Sequence, residues 1–357
     1  MKRVCLVSSG TGGHLMPAVA LARALLDAGH SASLLTEGRA VESALLERCA
    51  AGEPQVEAQE LRVGRAGIGA PLRLLQATVA ARAYLRDHDV DLVVGAGGRT
   101  TVPVALAARS LRLPVFLLEQ NVVTGRANRL LMPLAERVYF GLPPRHMPRR
   151  GVLTGTPLRT AVGRIDRSAA RRNLGLSADV PTILVTGGSQ GARVLNEVVP
   201  EALGGLRDPI QVVHLSGADQ DAEVRCRYGD RPRVNALVRP VVMDMACLYA
   251  AADLVICRGG GGTVAELATA GRAALIVPYP HHRDRQQWHN GRVLERAGAA
   301  VVWSEAELTA PALRERLEQW LAEPGSLATM GERARALTSG DPCARILGDM
   351  TERGALN

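Results

Sequence analysis

Residues 8–17, SSGTGGHLMP, put an imidazole directly behind a run of glycines, where an apolar strand, RVCLV at 3–7, gives way to an apolar-periodic helix. Glycines at such a turn let a ligand approach the backbone closely and leave helix-start N–H groups aimed at an anion. Pro17 suits the first helical turn, where its missing N–H costs nothing. His14 then lies beside whatever binds there, and imidazole is the side chain best suited to take up a proton near neutral pH. A plain tight turn carrying a surface histidine fits the same spacing.

Two later stretches repeat the strand, glycine loop and helix. TGGSQGA at 186–192 offers Ser189 and backbone N–H groups to a phosphate. CRGGGGTVAELATAG at 257–271 adds a cation, Arg258, ahead of four glycines and a helix beginning near Thr263. Glu266, one turn into that helix, is poorly placed for phosphate but well placed to accept two hydrogen bonds from a ribose diol. A first-turn glutamate favoured by the helix dipole explains it equally well. The dinucleotide fingerprint needs glycine at position 15, where Leu15 stands, although Glu37 imitates its acidic ribose ligand. The P-loop pattern is absent, which disfavours nucleotide hydrolysis of that kind. Asp87, Asp89 and Asp91 have a cation-like spacing but precede their strand, at the amino end of the sheet, and read as solvated turn residues.

Positioning these loops requires strands and helices in alternation, and short β-branched runs do alternate with alanine- and leucine-rich ones: RVCLV, PAVALARALLDAG, SASLLT, VDLVVGAGG, VPVALAARSL and PVFLLEQ. The pattern predicts βαβ units on parallel sheets, an α/β fold. It pauses at 140–160, FGLPPRHMPRRGVLTGTPLRT, and restarts with PTILVTGGSQGARVLNEVV. We therefore expect domains at 1–158 and 159–333, and a helical tail at 334–357 packing back on the first. Ligands bind at the carboxyl ends of the strands in such sheets, so two facing domains would form a cleft lined by loops of both.

The chain has 357 residues and a formal net charge of +8, a balance that suits an acidic partner. Aromatics at 3% exclude the stacking platforms of single-stranded nucleic-acid binders, so no nucleic-acid partner is expected. No C-x-x-C pair occurs among six cysteines, and Cys5 and Cys257 fall in apolar runs, as reduced thiols of the cytosol do.

The set GTGGH, GAGG, LEQN, GTPLR, GGSQGA, CRGGGGTVAE and DRQQWHN, in that order and spacing over nearly the whole chain, resembles the MurG family. The resemblance implies the two-Rossmann-domain GT-B fold and inverting transfer of N-acetylglucosamine from UDP-GlcNAc to the C4 hydroxyl of undecaprenyl-diphosphate-linked muramyl-pentapeptide. It implies that Glu266 holds the ribose, that Arg159 and Ser189 lie near the diphosphate, and that the backbone around Val242 faces uracil. Gly261, Gly262, Thr263, Val264 and Ala265 would wrap the nucleotide, with Thr11, Gly12 and Gly13 also on the donor. Gln286 and Gln287 would meet the sugar hydroxyls, with Asn121 reaching in from the first domain. Gly10, Gly97, Gly98 and Arg99 would face the acceptor. His14 becomes the general base, with Glu119 as second candidate for base or acceptor orientation. Neither metal nor cofactor is expected, since helix N-termini and Arg159 stabilise the leaving UDP. The chain departs from the family at Leu118, where histidine is usual, at Arg99, where tyrosine is usual, and in its GGGG loop.

A lipid-linked acceptor implies an anionic membrane surface as partner, at the cytoplasmic face of the inner membrane, alongside other cell-wall synthesis proteins. Residues 61–86 supply Arg62, Arg65, Arg73, Arg82 and Arg86 with no acid until 87, and Ile68, Leu72, Leu75 and Val79 as apolar surface. An amphipathic helix packed on its own sheet fits the same segment. The rival functions are another GT-B UDP-sugar enzyme, such as a diacylglycerol glycosyltransferase or a UDP-GlcNAc 2-epimerase, and a noncatalytic nucleotide-sugar-binding protein.

Overall fold

A computed structural model describes the chain apart from residues 11, 40–41, 44–45, 47–55, 62, 65–68, 160, 243, 324 and 339. The chain divides into two compact units, Met1–Arg159 with Ser339–Asn357, and Thr160–Thr338.

The first unit runs β1 (Arg3–Val7), α1 (Gly12–Asp27), β2 (Ser31–Thr36), β3 (Glu57–Glu60), α2 (Ala70–Asp87), β4 (Leu92–Gly95), α3 (Thr101–Ser110), β5 (Val115–Glu119), α4 (Arg126–Leu131), β6 (Arg137–Phe140) and β7 (Gly151–Leu153). Its strands form one parallel sheet in the order β3-β2-β1-β4-β5-β6-β7. Strand residues point alternately to the two faces. Val4, Leu6, Leu92, Val94, Phe116 and Leu118 pack with α1, whereas Cys5, Val7, Val93, Val115 and Leu117 pack with α2 and α3. Both faces are covered, which is why the strands read as unbroken apolar runs.

In the second unit the order is α5 (Arg167–Leu174), β8 (Thr182–Thr186), α6 (Arg193–Gly204), β9 (Ile210–Leu215), α7 (Asp221–Tyr228), β10 (Val234–Arg239), α8 (Met245–Ala251), β11 (Leu254–Cys257), α9 (Gly261–Ala270), β12 (Ala273–Ile276), α10 (Gln286–Arg296), β13 (Ala300–Val302), α11 (Ala310–Ala322) and α12 (Ser326–Arg335). Its parallel sheet is ordered β10-β9-β8-β11-β12-β13. Arg335 donates to the carbonyl of Ala270, so α12 belongs with α9. The last helix, α13 (Pro342–Glu352), lies in the first unit, where Cys343, Ile346 and Met350 join the cluster around α1.

Local chemistry sets the element ends. Asp166, Asp244, Thr309 and Asp341 each accept a first-turn amide and cap α5, α8, α11 and α13. Pro17 departs from the expected first-turn position: α1 begins at Gly12, so Pro17 lies inside it and withholds the N–H that would bond Gly13's carbonyl. The three acids before β4 are at the sheet's amino end, where Arg3 pairs with Asp89 at 2.5 Å and its amide donates to Asp91 at 2.7 Å.

Candidate active site

Each sheet reverses its strand order once beside its first strand, between β1 and β4 and between β8 and β11, and the glycine loops lie at those two switch points. In the first unit, His14 is half-buried in the opening turn of α1. Its Nδ1 is 3.0 Å from the carbonyl oxygen of Ala96 and 3.2 Å from Oε1 of Gln120. Gln120, at the end of β5, also donates its Nε2 to Ala96's carbonyl at 3.2 Å. The GAGG turn after β4 is shaped for this ring. A Cβ on Gly97 would lie 2.8 Å from His14 Nδ1, and Gly98 has φ +88 with its Cβ position filled by Ser9's carbonyl.

Two residues expected on the acceptor side make bonds within the protein. The N–H of Gly10 does not face outward but donates to Oε1 of Glu42 at 2.7 Å, a buried carboxylate that also accepts the Arg39 amide. Arg99 pairs with Glu37 at 2.9 Å, and Arg39 holds the other oxygen of the same carboxylate. Gly12 and Gly13 open α1, whereas Thr11 lies outside the described residues.

Glu119 is only 1% exposed, and four donors fill its two oxygens. Oε1 accepts from the amide and side-chain nitrogens of Asn121 at 3.1 and 3.2 Å, and Oε2 from the Gly125 amide and Asn128 Nδ2 at 2.8 and 3.0 Å. A carboxylate so satisfied organises the loop between β5 and α4. Asn121, expected to reach the donor, has its carboxamide nitrogen on Glu119.

In the second unit, Ser189 is exposed at the tip of the loop after β8, and Gly187 and Gly188 precede it. Gln220 ties this loop to the end of β9 by donating to Gln190's carbonyl at 3.1 Å. Asn196 on α6 bonds both Gln220 and Ser216's carbonyl. After β11, Gly261 to Ala265 form the first turn of α9, as the helix-start reading requires. Glu266 accepts a 2.9 Å bond from the hydroxyl of Tyr249, which burial holds protonated far above its ordinary range. Val242 is half-buried beyond β10, and Arg159 half-buried at the end of the first unit.

Two groups expected at the ligand also bond the surrounding backbone. Arg258 donates to the carbonyls of Val277 and Pro278 and pairs with Glu305 at 2.6 Å. Gln287 turns Oε1 to the amides of Gly259 and Tyr279 at 3.2 and 2.9 Å, while Asn290 donates to Gly259's carbonyl at 3.0 Å. Gln286 is half-buried at the start of α10, its amide on Asp284.

On α2, Ala77, Ala81 and Leu85 face the core. Leu72, Leu75 and Val79 lie on the outer face at 59%, 60% and 61% exposure, and Arg82 and Arg86 are exposed further along the helix. Arg62, Arg65 and Ile68 lie outside the described residues. No helix among the described residues is long and apolar enough to cross a membrane.

The chain belongs to glycosyltransferase family 28: the family's N-terminal domain matches residues 4–140 and its C-terminal domain residues 182–342. Within it the likeness is to MurG. A curated relative from Acidithiobacillus ferrooxidans, the UDP-N-acetylglucosamine–N-acetylmuramyl-(pentapeptide) pyrophosphoryl-undecaprenol N-acetylglucosamine transferase, is 37% identical over 348 residues, 96% of this chain and 95% of that one. The enzyme of the same name from Cronobacter sakazakii is 37% identical over 352 residues, 97% and 96% of the two chains. The crystal structure of Acinetobacter baumannii MurG superposes with a TM-score of 0.79 at 33% identity, covering 99% of this chain and 100% of that one. A putative UDP-N-acetylglucosamine 2-epimerase from Listeria monocytogenes, at 17% identity and TM-score 0.71, shares the fold alone.

Proposed function

We propose that the protein transfers N-acetylglucosamine from UDP-GlcNAc, with inversion, to the C4 hydroxyl of undecaprenyl-diphosphate-MurNAc-pentapeptide. The observation that carries this reading is the His14 imidazole anchored through Nδ1 at the mouth of the β1 loop, in a chain related to enzymes of that name over 96% of its length. Nε2 takes the proton of the attacking hydroxyl as the anomeric carbon–oxygen bond to UDP breaks and the new glycosidic bond forms. The Gly97–Gly98 turn faces the acceptor, and Gly12 and Gly13 at the start of α1 face the donor, while Gly10 keeps its bond to Glu42.

Glu266, oriented by Tyr249, holds the ribose hydroxyls. The first-turn amides of α9 and the Ser189 loop, with Arg159, take the negative charge that grows on the leaving diphosphate. Gln286 meets the sugar. At the cytoplasmic face of the inner membrane, the protein docks by the Leu72, Leu75 and Val79 face of α2, each nearby arginine adding about 1 kcal/mol on an anionic leaflet.

The test is transfer of labelled N-acetylglucosamine to a lipid-linked muramyl-pentapeptide analogue. His14→Ala lowers kcat by about a hundredfold or more with donor KM little changed; Glu266→Ala raises donor KM. Wild-type protein that never glycosylates the acceptor would refute the transferase reading. Co-sedimentation with anionic vesicles, lost on replacing Leu72, Leu75 and Val79 with serine, checks the membrane face; full retention rules it out.

A further inference from the structure

The structure assigns Gln120 as the positioning residue that fixes which nitrogen of His14 exchanges protons. The inference rests on reading His14 as the base, and it concerns a residue to which neither motif spacing nor the family likeness gave a role.

Hydrogen-bond directions settle the geometry. The carbonyl oxygen of Ala96 can only accept. Gln120 approaches it with Nε2 at 3.2 Å, which fixes the carboxamide's orientation and leaves Oε1 facing His14. His14 Nδ1 therefore meets two acceptors, Ala96's carbonyl at 3.0 Å and Gln120 Oε1 at 3.2 Å. Only a donor fits between two acceptors, so Nδ1 carries its proton whether the ring is neutral or charged. Nε2 is consequently the nitrogen that gains and loses a proton.

The surrounding residues hold this arrangement. Gln120 is buried, and Gly97 has no Cβ to push the ring from Ala96. The partner behind the base is a neutral carboxamide, not a carboxylate. The neighbouring carboxylates are engaged elsewhere, Glu119 with Asn121, Gly125 and Asn128, and Glu42 with Gly10 and Arg39. Among the described residues no charged side chain is hydrogen-bonded to the ring. The imidazolium formed during transfer thus has a neutral amide oxygen and a backbone carbonyl, and no carboxylate, at Nδ1.

The experiment uses the full chain with nitrogen-15 in its histidines, His14 being assigned by the signals lost in His14→Gln. Long-range proton–nitrogen spectra of wild-type protein are expected to show Nδ1 protonated and Nε2 bare above the ring's titration. Gln120→Leu removes one of the two acceptors at Nδ1 and leaves Ala96's carbonyl; it is expected to raise the share of the other tautomer and to lower kcat by up to about tenfold, the value of one lost hydrogen bond, with donor KM unchanged. The isosteric Gln120→Glu supplies a charge instead, and moves the acid limb of the kcat/KM profile upward by about one pH unit. A wild-type ring protonated on Nε2, or Gln120→Leu and Gln120→Glu proteins matching wild type in spectrum and pH profile, overturns the assignment. Failure of the underlying reading is separate: transfer surviving in His14→Ala removes the base, whatever the spectrum shows.

Discussion

Replacing Glu119 with glutamine separates a brace from a base. The carboxylate receives two donors on each oxygen. An amide keeps one oxygen, so however it turns, two donors lose their acceptor and face an N–H. Each bond to a charged group contributes about 1.5–3 kcal/mol. Relief from burying a charge offsets part of the loss. Asn128 also keeps its 2.8 Å bond to Leu118's carbonyl. The net cost is about 3 kcal/mol, which for a unit of this size lowers its melting transition by roughly 6–12 °C. Calorimetry of the full chain reads that shift, and kcat measured well below the transition reads the chemistry. An unmoved transition with kcat reduced by about a hundredfold or more would refute the brace and make Glu119 the proton acceptor.

Three further perturbations follow from other parts of the structure. Gly98→Ala puts a Cβ against Ser9's carbonyl at φ +88 and costs about 2 kcal/mol or more, seen as a lower Tm and a lower kcat; an unaltered protein would mean the turn has another conformation. Tyr249→Phe removes the donor to Glu266 and raises the KM for UDP-GlcNAc about tenfold with kcat nearly unchanged, in initial-rate measurements at saturating acceptor. Burial pushes His214 from an ordinary 6.5 down to about 3, so the unfolded chain binds its proton first as pH falls. Stability is then whole above about pH 6.5 and declines by about 1.4 kcal/mol per unit down to about pH 3, a contribution missing from His214→Gln in urea titrations.

Strand, loop and helix alternation was legible because parallel strands buried on both faces must be apolar throughout, and Val4 to Val7 and Leu254 to Cys257 are so. The glycine loops were legible because Gly97 and Gly98 admit neighbours that a side chain would displace. What the sequence hid was the second layer of contacts. Glu42 reaches Gly10 across 32 residues, and Tyr249 reaches Glu266 from another helix, with no local spacing to announce either bond. Gln120 left one signal: it directly follows Glu119, the last residue of a strand whose side chains alternate between faces. Arg258 and Gln287 carry the residue types that bind phosphate and sugar, and their bonds to Glu305 and to the backbone of Gly259 and Tyr279 were equally hidden.

The return of α13 to the first unit makes the second unit an insertion in the chain. Cys343, Ile346 and Met350 complete a core whose other members begin at Val4. During synthesis this core stays open on one side until α13 has been made, so the first unit is completed only after the second has left the ribosome. Any fragment ending at Arg159 inherits the glycine loop of His14 with an uncovered apolar flank on α1, and will need that helix supplied as a separate peptide to become soluble.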